Sequence, residues 1–444
     1  MAGSGDRDGG RAKADRPGGK TSRPRPPRRL PAKLRRDQLL DEAAKQLNAR
    51  GVLMTSLTDI ADTLGVSRNA LYHYVEDRED LVFQVYRRSC EILARALGEA
   101  ARSGRPALQV VSGFIAAALD PREPEIAALG EIGLLRPAER ETVVSLHEGV
   151  IARLASLLKA GVAAGEVRPC DAVVAARCIL GAISWAPLAA HWTRDVSADR
   201  PALIDAIVGL LENGVATDRA ARVDPPWIDL SPLRPARIAA FDRAGLAAAK
   251  REAILLAASR LFNAKGVDPT SLDEIAEAAN ATKRALYQHV GDKQALVSAC
   301  YERAYRIFFF SEDEAAALGL SAEDASFAIS RAGALARLDP EISPLRPLIG
   351  SEALNAEQKT QMDAHSHTLF RRTRDRLARM QSDGAMREDV DLDMLMLVLP
   401  GIGTWLAGGA VAYDEPERRA VADEVAALMR IGLAPVASPH VAEA

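Results

Sequence analysis

At 444 residues the chain is too long for one ordinary core, and 48% apolar with 26% charged residues is a soluble globular balance; the low aromatic share of 5% and the abundance of Ala and Leu favour helices. Net charge is only −3, but residues 1–36 hold twelve Lys or Arg against Asp6, Asp8 and Asp15, which leaves about −12 on the rest and suggests a basic arm that meets something anionic. Cys90, Cys170, Cys178 and Cys300 lie far apart without metal-like spacing, and the N-terminus has no apolar stretch, so a disulfide framework, a zinc site and a secretory signal are all excluded as readings.

In chain order, the Gly-, Arg- and Pro-rich arm gives way to Leu39, Leu40, Ala43, Ala44 and Leu47 at helical spacing, with Gly51 as a stop, which predicts a helix over 35–50. Ser56 with Asp59 three residues on is a capping-box-like start for a short helix to Leu64. Gly65 permits a left-handed turn, Val66 plugs the space between helices, and Ser67 is placed to cap a third helix through Val75. Helix, tight turn, helix is the geometry that lays the last helix in a major groove.

The same grammar returns 215 residues later without a gap. Ala43, Asn48, Ala49 and Val52 match Ala258, Asn263, Ala264 and Val267; Thr55-Ser56-Leu57 matches Thr270-Ser271-Leu272; Ala70-Leu71-Tyr72 matches Ala285-Leu286-Tyr287. In the second copy Ser271 and Glu274 form the cap pair, Asn280 stands at the turn, Ala281 is the plug and Thr282 the next cap. A weaker echo closes each half: Gly165-Glu166-Val167-Arg168 against Gly384-Ala385-Met386-Arg387, and Gly181-Ala182-Ile183-Ser184-Trp185 against Gly401-Ile402-Gly403-Thr404-Trp405. Between the halves, Pro225, Pro226, Pro232 and Pro235 mark a linker, which extended would reach on the order of 80 Å at ~3.3 Å per residue and so does not dictate which surfaces pair. Met394–Tyr413 is uncharged and long enough to span a bilayer, but its Pro and Gly content and its alignment with 174–193 make it a packing or interface helix.

These residues resemble the tetracycline-repressor (TetR) family, whose pattern stands here as Ser56 to Ala61, Gly65-Val66-Ser67, Leu71-Tyr72-His73-Tyr74-Val75 and Asp77-Arg78-Glu79-Asp80-Leu81. The second copy reads Ser271 to Ala276, Asn280-Ala281-Thr282, Leu286-Tyr287-Gln288-His289-Val290 and Asp292-Lys293-Gln294-Ala295-Leu296, departing from Gly-Val-Ser. The resemblance implies an all-α fold of two units, each a three-helix head on a helical effector and dimerisation body, arranged as a pseudo-dimer. The expected divisions are an unordered basic arm at 1–33, heads at 34–81 and 249–296, bodies at 82–217 and 297–436, a linker at 218–248 and a tail at 437–444.

It also implies a ligand-responsive repressor of double-stranded DNA in the cytoplasm, with an apolar small molecule as effector. Tyr72 and Tyr287 would donate hydroxyls to phosphate, Arg78 and Lys293 would pair with phosphate as charges, and the helix N-termini at Ser56 and Ser271 would add backbone N–H donors, with the caps Ser67 and Thr282 also in the DNA-binding set. The exposed recognition residues differ, Arg68, Asn69 and His73 against Lys283, Arg284 and Gln288, so two unlike half-sites are expected. The alternatives are one working head with a degenerate second unit, or a non-specific architectural binder. His147, Trp185, His191 and Trp405 are candidates for a ligand pocket, against ordinary core or interface positions. His365 and His367, about 200° apart on a helix, do not suggest a metal site. No nucleophile elbow or phosphate loop is present in the sequence, so neither an enzyme nor a cofactor is expected.

Overall fold

The computed structural model describes residues 36–52, 54–192, 199–235, 243–408 and 413–436; the basic arm and the tail lie outside them. Helices dominate, and an isolated antiparallel bridge joins Ala216 to Met386. In the first unit α1 (Arg36–Arg50), α2 (Leu57–Leu64) and α3 (Arg68–Leu71) form the head. The long α4 (Arg78–Ala101) runs into a body of α5 (Ala107–Ala118), α6 (Pro137–Ala163), α7 (Ala172–Trp192) and α8 (Arg200–Asn213). The second unit repeats this with α9 (Arg243–Lys265), α10 (Leu272–Ala278), α11 (Lys283–Val290), α12 (Lys293–Ala317), α13 (Ala322–Leu338), α14 (Ala356–Ser382), α15 (Leu392–Ile402) and α16 (Glu415–Ile431).

Each head has its own core, built from corresponding positions. Leu39, Leu47, Ile60, Leu71 and Leu81 of the first answer to Ile254, Phe262, Ile275, Leu286 and Leu296 of the second, all buried. Burying each such side chain stabilises the fold by about 1.5–3 kcal/mol, which explains why the helical spacing was so clear in the sequence. The bodies do not keep separate cores. One continuous apolar cluster runs from Ile92 of α4 through α7 and α15 to Leu433.

That fusion depends on absent side chains. A Cβ on Gly181 of α7 would stand 2.5 Å from the Gly401 carbonyl oxygen of α15, and one on Gly401 would stand 2.7 Å from Trp185 Cβ, so the backbones cross at a distance only glycine allows. Trp185 lies at the same crossing and its indole N–H donates to Leu397 O at 2.8 Å. The weak Gly-x-x-x-Trp echo is therefore the interface itself. Farther along, Gly214 and Gly432, at φ 65° and 62°, end α8 and α16 backbone to backbone. Val215 N donates to Arg430 O at 3.0 Å and Leu433 N donates to Glu212 O at 3.0 Å, a reciprocal exchange of the kind a two-fold axis generates.

Three expectations change. The connection is no free spacer, because Ile228 and Leu230 are buried in the body core and Arg331 stacks on Trp227 at 4.7 Å while donating to Pro225 O. Residues 394–413 do not make one helix: Pro400 lacks an N–H, glycines follow, and α15 stops at Ile402 before a short 3-10 turn at Thr404–Gly408. Among the described residues the segment long and apolar enough to cross a membrane is instead Ala172–Ala189 of α7, and 78% of it is buried inside the protein.

Candidate nucleic-acid interface

The heads are assembled by capping. Ser56 Oγ accepts from Asp59 N at 3.0 Å to start α2, and Ser271 with Glu274 closes a full reciprocal box at the start of α10. Gly65 (φ 66°) and Asn280 (φ 49°) both take the left-handed turn, which Asn tolerates because its short side chain costs little there. Thr282 Oγ1 then accepts from Ala285 N at 3.2 Å to cap α11. Ser67 occupies the corresponding place in extended conformation but makes no side-chain cap bond.

The third helix of the first head is shorter than expected. It ends at Leu71, whose carbonyl takes both Tyr74 N and Val75 N, while Gln84 Nε2 claims the Tyr74 carbonyl at 2.9 Å. In the second head Ala299 replaces Gln84 and Gly291 (φ 83°) replaces Glu76, so α11 runs on to Val290 before turning.

Both recognition elements nevertheless present the same face. Leu71 and Leu286 are fully buried anchors, and around them Ser67, Arg68, Asn69, Tyr72 and His73, or Thr282, Lys283, Arg284, Tyr287 and Gln288, are exposed. Tyr72 and Tyr287 are 45% and 48% exposed. The Arg68 guanidinium stacks 5.6 Å from the Tyr72 ring, and Lys283 Nζ pairs with Asp273 at 2.9 Å, which raises its pKa.

Arg78 and Lys293, expected to pair with phosphate, make protein contacts in this structure. Each opens its helix, behind the cap residues Asp77 and Asp292, but both converge on Asp268: Arg78 Nη2 lies 3.0 Å from its carboxylate and Lys293 Nζ donates to its carbonyl at 2.9 Å. Burial lowers the Lys293 pKa. The contact belongs to a junction between the heads. Glu131, in the loop after α5, accepts from Val267 N at 3.2 Å, while Glu352, in the matching loop after α13, lies so near Gly51 that a Cβ there would stand 2.9 Å from its carboxylate. Burial raises the Glu131 pKa and pushes that of Glu352 up to about 7. Asp268, Glu131 and Glu352 escaped the sequence reading because nothing local distinguishes them; their meeting is long-range.

A cavity of about 230 Å³ lies in the second body, between α12, α13, α14, α15 and α16. His147, Trp185 and Trp405 do not line it. His147 is half-buried on α6 with its pKa lowered by burial, Trp185 is at the α7–α15 crossing, and Trp405 lies under the Arg177 guanidinium at 5.8 Å. The His191 side chain is outside the described residues.

Two heads, each a helix, a left-handed turn and a second helix with an exposed tyrosine, mounted on bodies that share one core, define a helix-turn-helix DNA-binding protein with its domains in duplicate. Residues 39–85 and 254–300 both match the family described as bacterial regulatory proteins, tetR family, and residues 108–195 match the tetracyclin repressor-like C-terminal domain. Both heads are thus TetR-family domains, carried in tandem by one chain. It is 28% identical over 165 residues to the HTH-type transcriptional repressor KstR2 of Rhodococcus jostii, covering 36% of this chain and 80% of that one. It is 50% identical over 52 residues to the HTH-type transcriptional regulator AcrR of Shigella flexneri, covering 12% and 24%. Among solved structures, the TetR family regulator PfmR from Thermus thermophilus shares 27% identity and covers 40% of this chain and 97% of its own, with a TM-score of 0.33.

Proposed function

We propose that this protein is a cytoplasmic repressor that binds one operator with two unlike half-sites, one per head, and leaves it when a small molecule enters a body. The observation that carries this reading is the repeated recognition face with unlike residues. Arg68, Asn69 and His73 stand where Lys283, Arg284 and Gln288 stand, and Asn favours adenine while Arg favours guanine. The resemblance to a relative named as a repressor supports repression over activation. The α7–α15 crossing and the reciprocal bonds at Gly214 and Gly432 support the two units pairing within one chain, so that one molecule does the work of a two-fold dimer. The cavity supports a ligand-responsive mechanism, in which occupancy favours head spacings that no longer match successive major grooves.

Selection of bound duplexes from a random pool, followed by footprinting, tests the reading. Two different half-sites with protection from both heads are expected. A perfect palindrome, or the absence of sequence preference with a steep salt dependence, overturns it. Removing the Tyr72 and Tyr287 hydroxyls separately distinguishes two working heads from one: if the second loss leaves operator affinity unchanged, the second unit serves only pairing or sensing.

A further inference from the structure

The cavity lies where the corresponding positions of the first body carry larger, apolar side chains. Leu119-Asp120-Pro121 and Leu338-Asp339-Pro340 end α5 and α13 in matching register, and α6 and α14 are both 27 residues long. On that register Gly333 corresponds to Phe114, Thr373 to Leu154 and Arg337 to Ala118; on the register of the heads, continued along α4 and α12, Glu312 corresponds to Leu97. Phe114, Leu154, Leu97 and Ala118 are buried in a packed apolar core. Where the first body inserts a phenyl ring, the second offers only a hydrogen, and a space bounded by Phe308, Ile329, Leu369, Phe370, Met396 and Leu406 opens.

Charge in the wall is unbalanced. Glu312 is paired with Arg376, which also donates to Ser326 Oγ at 3.1 Å, so those two charges cancel. Arg337 has no such partner. Its Nη1 donates to the Gly333 carbonyl one turn back at 2.8 Å and its guanidinium stacks on Phe308 at 4.8 Å, but among the described residues no carboxylate stands within ion-pair distance. Burial pushes its pKa down to about 10, which leaves it protonated near neutrality. A cation held against an apolar space, with its hydrogen-bonding fork only partly used, calls for an anion. At about 230 Å³ the space is on the scale of a small organic acid.

We infer that the second body alone binds the effector, one per chain, and that the effector is a carboxylic acid with an apolar body whose carboxylate pairs with Arg337. This rests on the ligand-responsive reading above and deepens it. Phe114 and Ala118 deny the first body both the space and the cation, so the pseudo-dimer senses through one half and the signal passes along the shared core to both heads.

The test uses the full-length protein in calorimetric titration with straight-chain, cyclic and aromatic carboxylates of roughly eight to twelve carbons, each paired with its neutral amide. At least one carboxylate is expected to bind with a stoichiometry of one per chain and to beat its amide roughly 10- to 100-fold, a preference that Arg337→Gln abolishes. Gly333→Leu is expected to exclude the ligand; the subtler Gly333→Ala, which keeps the fold, is expected to weaken it. Two sites per chain, no carboxylate preferred over its amide, or unchanged preference in Arg337→Gln overturns the inference. Operator release is measured separately. Arg337-dependent binding without release leaves the inference standing and sinks the repressor reading, whereas release by neutral compounds regardless of Arg337 does the reverse.

Discussion

Arg78, the first residue of α4, reaches out of its own head to Asp268 of the other, with Nη2 3.0 Å from the carboxylate, and Lys293 donates to the carbonyl of the same aspartate. Two cations that family resemblance assigns to phosphate are thus drawn to one acidic residue between the heads. The Arg78–Asp268 pair is about one-third exposed on each side, so its strength is modest and a polyanion can compete for it.

Asp268→Asn is therefore expected to strengthen duplex binding at low salt. Arg78, freed for phosphate, should steepen the slope of log affinity against log salt by about 1, while Lys293 keeps its bond to the backbone carbonyl. Fluorescence anisotropy over a salt series measures this; weaker binding with an unchanged slope would show instead that the junction is needed to hold the heads in register.

The exposed tyrosines give a cleaner readout. Tyr72→Phe and Tyr287→Phe remove one hydroxyl each from a surface, so melting temperature should stay within about 1 °C while operator affinity falls roughly 3- to 10-fold per head. Gel-shift titration beside a thermal melt separates the two effects.

At the α7–α15 crossing no side chain fits. Gly181→Val is expected to destabilise the whole chain by about 2–4 kcal/mol, because the first added carbon already overlaps the Gly401 carbonyl at 2.5 Å. Denaturant unfolding should show the loss; a wild-type midpoint would mean the bodies pair some other way.

Acidity acts on the junction through Glu352. Its pKa in the folded protein rises from the ordinary 4.5 to about 7, so between those values the folded state holds a proton that the unfolded chain has released. Stability must then fall as pH climbs from about 4.5 to about 7, and it must do so by less in Glu352→Gln. The Glu131 shift has the same sign. Melting temperatures across that range, for both forms, decide the matter.

Much of the heads was legible beforehand because their determinants are local. Ser56, Gly65, Ser271, Asn280 and Thr282 shape the chain within three or four residues of themselves, and the buried positions follow the helical period. The shorter α3 was less so: Gln84, ten residues away, donates to the Tyr74 carbonyl just past its end, and no window of α3 itself contains that bond. The ligand-pocket candidates show the same limit. Trp185 and Trp405 stand out as large aromatics in a repeated motif, yet the repeat encodes the crossing of α7 and α15, while the cavity is made by a missing ring at Gly333.

What the residues determined unaided is a helix-turn-helix head made twice, with its caps, turns and exposed tyrosines, since hydrogen bonds between near neighbours and a helical apolar stripe need no distant partner. Tertiary structure alone decided that the bodies share one core, that Asp268, Glu131 and Glu352 gather between the heads, and that Gly333 of the second body borders an open space beside Arg337. Apolar burial has no direction of its own, so which surfaces meet is settled by shape at close range, where one glycine or one ring determines whether backbones touch or a space remains.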